Sequence, residues 1–178
     1  ADKKDIYIEN ILLGNGSDEV LDLIFRAFCE PNRDNIITLP PTYGMYGVLA
    51  NINAIENREV LLNEEFHPNV DAILDAVDSN TKVIFLCSPN NPTGNSFSDE
   101  SIMRILNNFK GLVVLDEAYI DFGGETALPL IDKYDNLVVV RTFSKSRSMA
   151  GLRIGYAISI QNRFTFYITS STPYRLNQ

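Results

Sequence analysis

Side chains that could carry acid–base or covalent chemistry follow three apolar runs of the sequence. Asn91 comes shortly after the run KVIFLC, Asp116 ends the run LVVLD with Tyr119 just beyond it, and Ser144 and Lys145 follow the run LVVVRT. Each interval is long enough for one crossover helix and the next strand, so the runs can be parallel strands. Because ligands bind at the carboxyl ends of such strands, an amide, a carboxylate, a phenol and an amine are expected to converge there.

A glycine-bearing turn before a helix adds a candidate anion site. In LGNGSDE, Gly14 and Gly16 precede a predicted helix that begins with Ser17 and Asp18. Glycines let backbone N–H groups approach an anion, and the helix dipole favours negative charge there. An ordinary loop and helix cap would have the same residues, and the spacing fits neither a dinucleotide nor a P-loop motif. A phosphate cradle is predicted once two further side-chain donors are included, Ser144 and Arg153.

These groups match the needs of one cofactor. Tyr43, in PPTYGMYG, could stack on a flat ring, although a half-buried aromatic residue is the simpler interpretation. Asp116 and Lys145 could also form nothing more than a buried ion pair. Together with a phosphate cradle, however, a carboxylate for a ring nitrogen and a lysine for an aldehyde are the protein groups that pyridoxal 5′-phosphate requires.

The elements that position these groups are predicted to alternate strand and helix. Helical stripes with apolar spacing separate nearly continuous β-branched runs, which are typical of strands covered on both faces. The sequence therefore predicts an α/β fold of three layers, α/β/α, around a mostly parallel sheet. Strands are predicted at 35–39, 58–62, 82–87, 112–116 and 137–142. Helical stripes are predicted at Val20, Ile24, Ala27 and Phe28, at Val70, Ile73, Leu74 and Val77, and at Ile102, Ile105, Leu106 and Phe109, the last with Ser98 as N-cap.

The end of the chain departs from this alternation. Residues 1–159 are predicted to form one cofactor-binding domain that is incomplete at its N-terminus. Residues 160–178 are polar, with neither caps nor a helical stripe, and are interpreted as a truncation or a discontinuous remnant. A small second domain is expected to be missing.

Composition limits the classes of function. A net charge of −8 over 178 residues disfavours a nucleic-acid partner, which would need a basic stripe. Cys29 and Cys87 are too few for a disulfide framework or a zinc site, so no metal is expected and a cytoplasmic location is favoured. No stretch is long and apolar enough to predict a membrane span.

Three motifs carry a resemblance to a known family. LCSPNNPTGN, VVLDEAYIDF and RTFSKSRSMAGLRIGYA occur in order, and residues 8–159 resemble the large domain of fold-type-I, class II pyridoxal-phosphate-dependent aminotransferases, most closely the histidinol-phosphate aminotransferases. The resemblance implies amino transfer between L-histidinol phosphate and 2-oxoglutarate in histidine biosynthesis. The threonine-phosphate decarboxylases share much of these motifs and are one alternative to this function. Aromatic aminotransferases are a second alternative.

The resemblance also implies a role for each candidate residue. Lys145 would bind the cofactor as a Schiff base and move the substrate proton, and Asp116 would keep the ring nitrogen protonated. Asn91 and Tyr119 would hold the phenolic oxygen, with Pro92 expected in cis. Among the remaining residues, Tyr43 would stack on the ring, and the phosphate would lie against Gly16, Ser17, Asp18, Ser144 and Arg153.

The family's chain is about twice as long, so segments that hold the substrate are expected to be absent. The resemblance implies a homodimer for the intact protein, a phosphorylated amino donor and a 2-oxo acid as small-molecule partners, and no nucleic acid or membrane. A catalytically silent, cofactor-binding fragment is the third alternative. Four other residues are assigned ordinary roles: His67 exposed, Glu117 and Asp121 solvated or behind the site, and Cys87 in the core.

Overall fold

A seven-stranded sheet organises the chain. The computed structural model describes residues 6–160. Its strands lie in the spatial order β1-β7-β6-β5-β4-β2-β3. Their bounds are β1 Ile11–Asn15, β2 Asn35–Thr38, β3 Glu56–Glu59, β4 Thr81–Cys87, β5 Leu112–Asp116, β6 Leu137–Thr142 and β7 Ile154–Ile158.

The sheet is mostly parallel, as predicted. Strands β2 to β6 pair in parallel, whereas β7 runs antiparallel to both of its neighbours, β1 and β6. Since β1 and β6 are both antiparallel to β7, they share one direction. Six strands therefore end at the same edge of the sheet, and only β7 begins there.

Among residues 6–160, four α-helices cover the two faces and confirm the three-layer architecture. They are α1 Ser17–Phe28, α2 Met45–Ile52, α3 Val70–Asp75 and α4 Asp99–Asn108. One apolar cluster joins α1 and α2 to strand residues such as Phe85 and Val114. The other cluster joins α3 and α4 to Leu86 and Val113, which are the sequence neighbours of Phe85 and Val114. Successive strand residues thus enter opposite layers, as the pleat of a strand requires.

The five predicted strands are present, but β1, β7 and α2 were not predicted. The strand sequences ILLGN and IGYAI contain glycine and are only partly buried, so neither has the continuous apolar pattern of the central strands. Strand β3 begins two residues earlier than predicted and has the polar sequence ENRE, because it is an edge strand that pairs with β2 alone. The apolar residue Leu62, predicted within the strand, lies beyond it and is buried in the core.

Helix boundaries follow local cap chemistry. The Ser98 hydroxyl accepts a hydrogen bond from the Ser101 amide at 3.2 Å, which confirms the predicted N-cap of α4. The buried stripe of α1 differs from the prediction, since Leu21 and Phe25 are fully buried whereas Ala27 and Phe28 are only partly buried. Within residues 6–160, both cysteines are free and buried, and no helix is long and apolar enough to cross a bilayer.

Candidate active site

The predicted strand ends lie side by side in the sheet. Cys87 at the end of β4 is in register with Asp116 at the end of β5, and Asp116 is in register with Val140 of β6. The segments that follow β4, β5 and β6 carry Asn91, Tyr119 and Lys145, so these residues leave the sheet at one edge. The predicted convergence at the level of the strands is therefore confirmed.

Asp116 is a buried carboxylate whose hydrogen-bond donors are neutral. It is 2 % exposed. Its Oδ2 accepts from the Tyr46 hydroxyl at 2.8 Å, and its Oδ1 accepts from the Ala118 amide at 3.0 Å. Burial raises the pKa of Asp116 from 3.8 to about 6, although the Tyr46 and Ala118 hydrogen bonds oppose that increase. Within residues 6–160, no cationic side chain pairs with the Asp116 carboxylate.

Tyr46 is a residue of this site that was not predicted from the sequence. It is fully buried, and its ring stacks on Phe85 with centroids 5.0 Å apart and planes at 18°. Burial, followed by the charge of Asp116, raises the pKa of Tyr46 well above its ordinary value, so the hydroxyl keeps its proton and donates it. The available signal was the second tyrosine of PPTYGMYG, but its partner lies 70 residues away.

Tyr43 lies between the Asp116 region and the start of α1. Its hydroxyl donates to Asp18 Oδ1 at 3.0 Å, and its ring meets Tyr46 edge-on, with centroids 5.6 Å apart and planes at 87°. Burial and the Asp18 carboxylate raise the pKa of Tyr43. The structure brings together Tyr43, Asp18 and Tyr46, while the stacking of Tyr43 on a cofactor ring stays a prediction.

Lys145 lies at the rim of the site rather than inside the protein. Strand β6 is largely buried, but the lysine three residues beyond it is exposed. Its Nζ is 5.2 Å from the centroid of the Tyr119 ring. Two predicted site residues from different strand ends therefore meet here, and the lysine remains accessible to a reagent or ligand.

Asn91 and Tyr119 line one cleft of about 410 Å³. The Asn91–Pro92 peptide bond is cis, as predicted. The preceding Asn90 has a different function, because it is 3 % exposed and holds the loop together. Its amide nitrogen donates to the Pro41 carbonyl at 2.9 Å and to Thr93 Oγ1 at 2.7 Å. Of the two adjacent asparagines, one fixes the loop and the other faces the cleft.

The start of α1 has the close packing expected of an anion cradle. Gly16 precedes the helix with φ 80°, a conformation that favours glycine, and no side chain caps the α1 N-terminus among the described residues. A Cβ on Gly16 would collide with the Arg153 guanidinium. Arg153 is exposed, and its Nη2 donates to the Asn15 carbonyl at 3.4 Å. A cationic side chain and the start of a helix without an N-cap side chain are therefore adjacent.

Strand β7 brings the remaining candidate donor towards the same corner. A Cβ on Gly155 would collide with the Ser17 backbone, so β7 packs directly against the start of α1. Gly155 is in register with Thr142, whose hydroxyl donates to Ser144 Oγ at 3.1 Å. Ser144 lies two residues beyond β6, and β6 pairs with β7, which packs against the start of α1.

Glu117 is not solvated, which corrects one of the two expectations for it, whereas its position next to Asp116 fits the other, a place behind the site. It is 1 % exposed, and its Oε2 accepts from Arg141 Nε at 2.9 Å and Nη2 at 2.7 Å. Its Oε1 accepts from the Ala127 amide at 2.7 Å. The Glu117 carboxylate therefore belongs to a buried ion pair that joins β5, β6 and the loop after Phe122. The other simple assignments fit, since His67 is exposed and Cys87 lies in the core.

Comparison with known proteins gives concordant results. Residues 2–171 match the family described as aminotransferase class I and II. A histidinol-phosphate aminotransferase of Flavobacterium johnsoniae is 64% identical over 169 residues, covering 94% of this chain and 48% of the relative. The corresponding protein of Bacteroides fragilis is 48% identical over 176 residues, covering 98% of this chain and 51% of the relative. The chain thus spans about half the length of these curated relatives.

Solved structures agree with the fold. The histidinol-phosphate aminotransferase of Clostridium acetobutylicum superposes with a TM-score of 0.82 at 26% identity, covering 94% of this chain and 49% of that one. A double mutant of Thermus thermophilus aspartate aminotransferase gives 0.81 at 26% identity, covering 92% and 46%. Both matches extend along most of the described sheet and its helices. The chain belongs to the class I and II aminotransferase family.

Proposed function

We propose that the protein containing this chain is a pyridoxal-phosphate-dependent aminotransferase that transfers the amino group of L-histidinol phosphate to 2-oxoglutarate. The observation that carries the proposal is Asp116, a buried carboxylate that has no cationic partner among residues 6–160. It lies at the strand edge from which Lys145 also emerges. The names of relatives that are 48–64% identical support the choice of substrate.

The residues of this chain fit the cofactor that the family implies. A pyridinium N–H is the kind of cation that the Asp116 carboxylate needs, and burial strengthens such an interaction. A phosphate could be held at the N-terminus of α1 beside Arg153, whose guanidinium packs where a Cβ on Gly16 would stand. An accessible amine at Lys145 fits an aldehyde. When bound, pyridoxal phosphate supplies an electron sink for the carbanion formed at the substrate.

Asp116 and Lys145 would then divide the proton chemistry. Asp116 would hold a proton on the ring nitrogen through the charge of its carboxylate. The Lys145 amine would remove and return the substrate α-proton as a general base and acid. The Lys145 Nζ lies 5.2 Å from the centroid of the Tyr119 ring, a cation–π contact that would hold the side chain at the rim of the site.

The other candidates would bind and orient the cofactor. Asn91 and Tyr119, which share the cleft, would hydrogen-bond its phenolic oxygen, and Tyr43 would lie against its ring. Asp18 would bind the phosphate through its backbone amide and not through its side chain. The Asp18 carboxylate would repel an anion and already accepts a hydrogen bond from Tyr43. The proposed phosphate ligands are the amides of Ser17 and Asp18 with the side chains of Ser144 and Arg153. The absence of a Cβ at Gly16 leaves room for the Arg153 guanidinium.

The proposal includes a homodimer in the cytoplasm. Its support is the resemblance alone, since the family builds each site at a subunit boundary. Sedimentation velocity on the intact protein tests the dimer. A monomer with full activity would contradict it.

Borohydride trapping tests the assignment of the cofactor lysine. The protein is incubated with pyridoxal phosphate, reduced and mapped by peptide mass spectrometry. We expect the label on Lys145 and its loss in Lys145→Arg. Lys110→Arg is the matched control, because Lys110 is also exposed but precedes β5 at the opposite edge of the sheet. Label confined to another lysine would contradict the proposal.

Substrate choice requires a chain with a complete substrate site. In a chimera, this chain replaces the matching half of the Flavobacterium johnsoniae relative, and products are identified after incubation with histidinol phosphate and 2-oxoglutarate. We expect glutamate as a product. Carbon dioxide release from a phosphorylated amino acid, or turnover of aromatic amino acids alone, would favour the alternative reactions.

The 178-residue chain by itself is expected to bind cofactor weakly and to turn over poorly. Orienting the substrate can supply roughly 7–11 kcal/mol of the barrier, and the family supplies that orientation partly from other segments. Cofactor binding without a half-reaction would match this expectation. Turnover as fast as that of the chimera would contradict it.

A further inference from the structure

The Tyr46 hydroxyl is the only side-chain donor recorded for Asp116 among residues 6–160. It is 2.8 Å from Asp116 Oδ2, while the other carboxylate oxygen accepts from the backbone of Ala118. Tyr46 has little freedom to move, because it is fully buried and its ring stacks on Phe85, with Tyr43 edge-on beside it. The hydroxyl therefore occupies one defined position against the carboxylate.

The other groups around Asp116 make its charge unfavourable. Asp18 of α1 and the neighbouring Glu117 are acidic and raise the pKa of Asp116, and the Cys87 thiol of β4 and the Tyr43 phenol are neutral donors or acceptors nearby. No lysine or arginine of residues 6–160 forms an ion pair with the Asp116 carboxylate. Without a hydrogen-bond donor, a buried carboxylate in these surroundings would bind a proton and become neutral.

We propose that Tyr46 is a positioning residue for Asp116: its hydroxyl keeps the carboxylate ionised and turned so that an oxygen lone pair remains for a cationic ring nitrogen. A carboxylate has about four acceptor positions, and Tyr46 and Ala118 occupy two of them. The inference rests on the proposed function for the identity of the third partner. The interaction between Tyr46 and Asp116 does not depend on that function.

The inference leads to opposite results for two changes of the same ring. Tyr46→Phe removes the donor and retains the ring that packs on Phe85, so the pKa of Asp116 is expected to rise from about 6 by roughly 1 to 2, as a hydrogen bond to a charged group is lost. Site-specific 3-fluorotyrosine at position 46 makes the phenol a stronger donor. It is expected to lower the pKa of Asp116.

The measurement is a pH titration of ¹³C-labelled aspartate carboxyls in the cofactor-free 178-residue chain by NMR. The Asp116 signal is identified by its loss in Asp116→Asn. Tyr134→Phe is the control, since Tyr134 packs against the other apolar cluster and its hydroxyl accepts from Asn107. An unchanged Asp116 midpoint in Tyr46→Phe would overturn the inference. If that variant does not fold, an unchanged midpoint with 3-fluorotyrosine would overturn it equally.

A second readout separates this inference from the proposed function. Pyridoxal phosphate is titrated into the chimera and into its Tyr46→Phe variant, with binding followed by absorbance as a function of pH. In Tyr46→Phe, we expect the lowest pH at which the cofactor binds tightly to rise together with the pKa of Asp116. If the NMR midpoint moves but the unmodified chimera captures no cofactor, the proposed function fails while the role of Tyr46 stands. If cofactor binds to both with the same pH profile and the midpoints agree, the role of Tyr46 fails alone.

Discussion

Two neighbouring carboxylates at the end of β5 have opposite surroundings. Asp116 faces the layer of α1 and α2 and accepts hydrogen bonds from neutral donors, Tyr46 and Ala118. Glu117 faces the other layer and accepts two hydrogen bonds from the Arg141 guanidinium. Both are almost completely buried. Only one of the two thus has its charge compensated by a side chain of the described residues.

The difference separates a structural carboxylate from a site. A buried ion pair with all its hydrogen bonds made holds two strands and a loop in place, and it has no need of a ligand. A buried carboxylate with neutral donors keeps an unfavourable charge, and a cationic ligand would relieve it. The four predictions that follow test this contrast, beginning with the largest expected effect.

Breaking the Glu117–Arg141 pair should destabilise the fold most. Arg141→Met leaves Glu117 buried and unpaired, and we expect a loss of about 3–5 kcal/mol in the free energy of unfolding. Urea denaturation measures it. The control is Arg147→Met, because Arg147 lies on the surface, its side chain 61% exposed and 3.5 Å from Asp121. A loss in the free energy of unfolding no larger than that of the control would contradict a structural role for the Glu117–Arg141 pair.

Asp116→Asn should affect chemistry far more than folding. A neutral amide cannot hold the ring nitrogen protonated, so we expect a fall of roughly 10²–10³-fold in the rate of α-proton removal, as when one preorganised electrostatic group is removed from an active site. Single-turnover kinetics in the chimera with histidinol phosphate measure that rate. Cofactor should still bind. A rate near that of the unmodified chimera would exclude Asp116 from this role.

The cofactor-free protein should lose stability through Asp116 as the pH rises. The pKa is about 6 in the folded state and 3.8 as the ordinary value, so the folded protein binds the proton more tightly than the unfolded chain. The resulting stabilisation is complete below pH 3.8 and is lost as the pH rises through 6. The change for this one group is of the order of 3 kcal/mol.

That pH dependence is measured by comparing urea denaturation of wild type and Asp116→Asn at several pH values between 4 and 7. Wild type should become less stable relative to the variant across this window. A constant difference between the two proteins would mean that Asp116 is not held in an unfavourable ionised state.

The smallest effect is expected at Tyr43. Tyr43→Phe removes the hydrogen bond to Asp18 and should cost about 0.5–1.5 kcal/mol of stability, since Asp18 lies in the first turn of α1 and keeps other stabilising interactions. Thermal or urea denaturation can resolve such a change. Stability lost on the scale of Arg141→Met would mean that the phenol–carboxylate contact resembles the ion pair after all.

Much of the fold could be predicted because its signals are local. The runs of β2, β4, β5 and β6 are apolar over their whole length, since both of their faces are covered. Ser98 marked the start of α4 through its own hydroxyl. Strands β1 and β7 were not predicted, because their short, glycine-containing sequences become strands mainly through pairing with each other across more than 100 residues of chain.

By itself, the sequence determined which reactive side chains follow the strands, because strand, turn and helix alternate over short distances and place Asn91, Asp116 and Lys145 at strand exits. Only the tertiary structure decided how the two adjacent carboxylates differ. Their partners lie 70 residues away for Asp116 and 24 residues away for Glu117. Which side chain reaches a buried charge depends on how helices and strands pack. The residues next to the charged group in the sequence do not determine that packing.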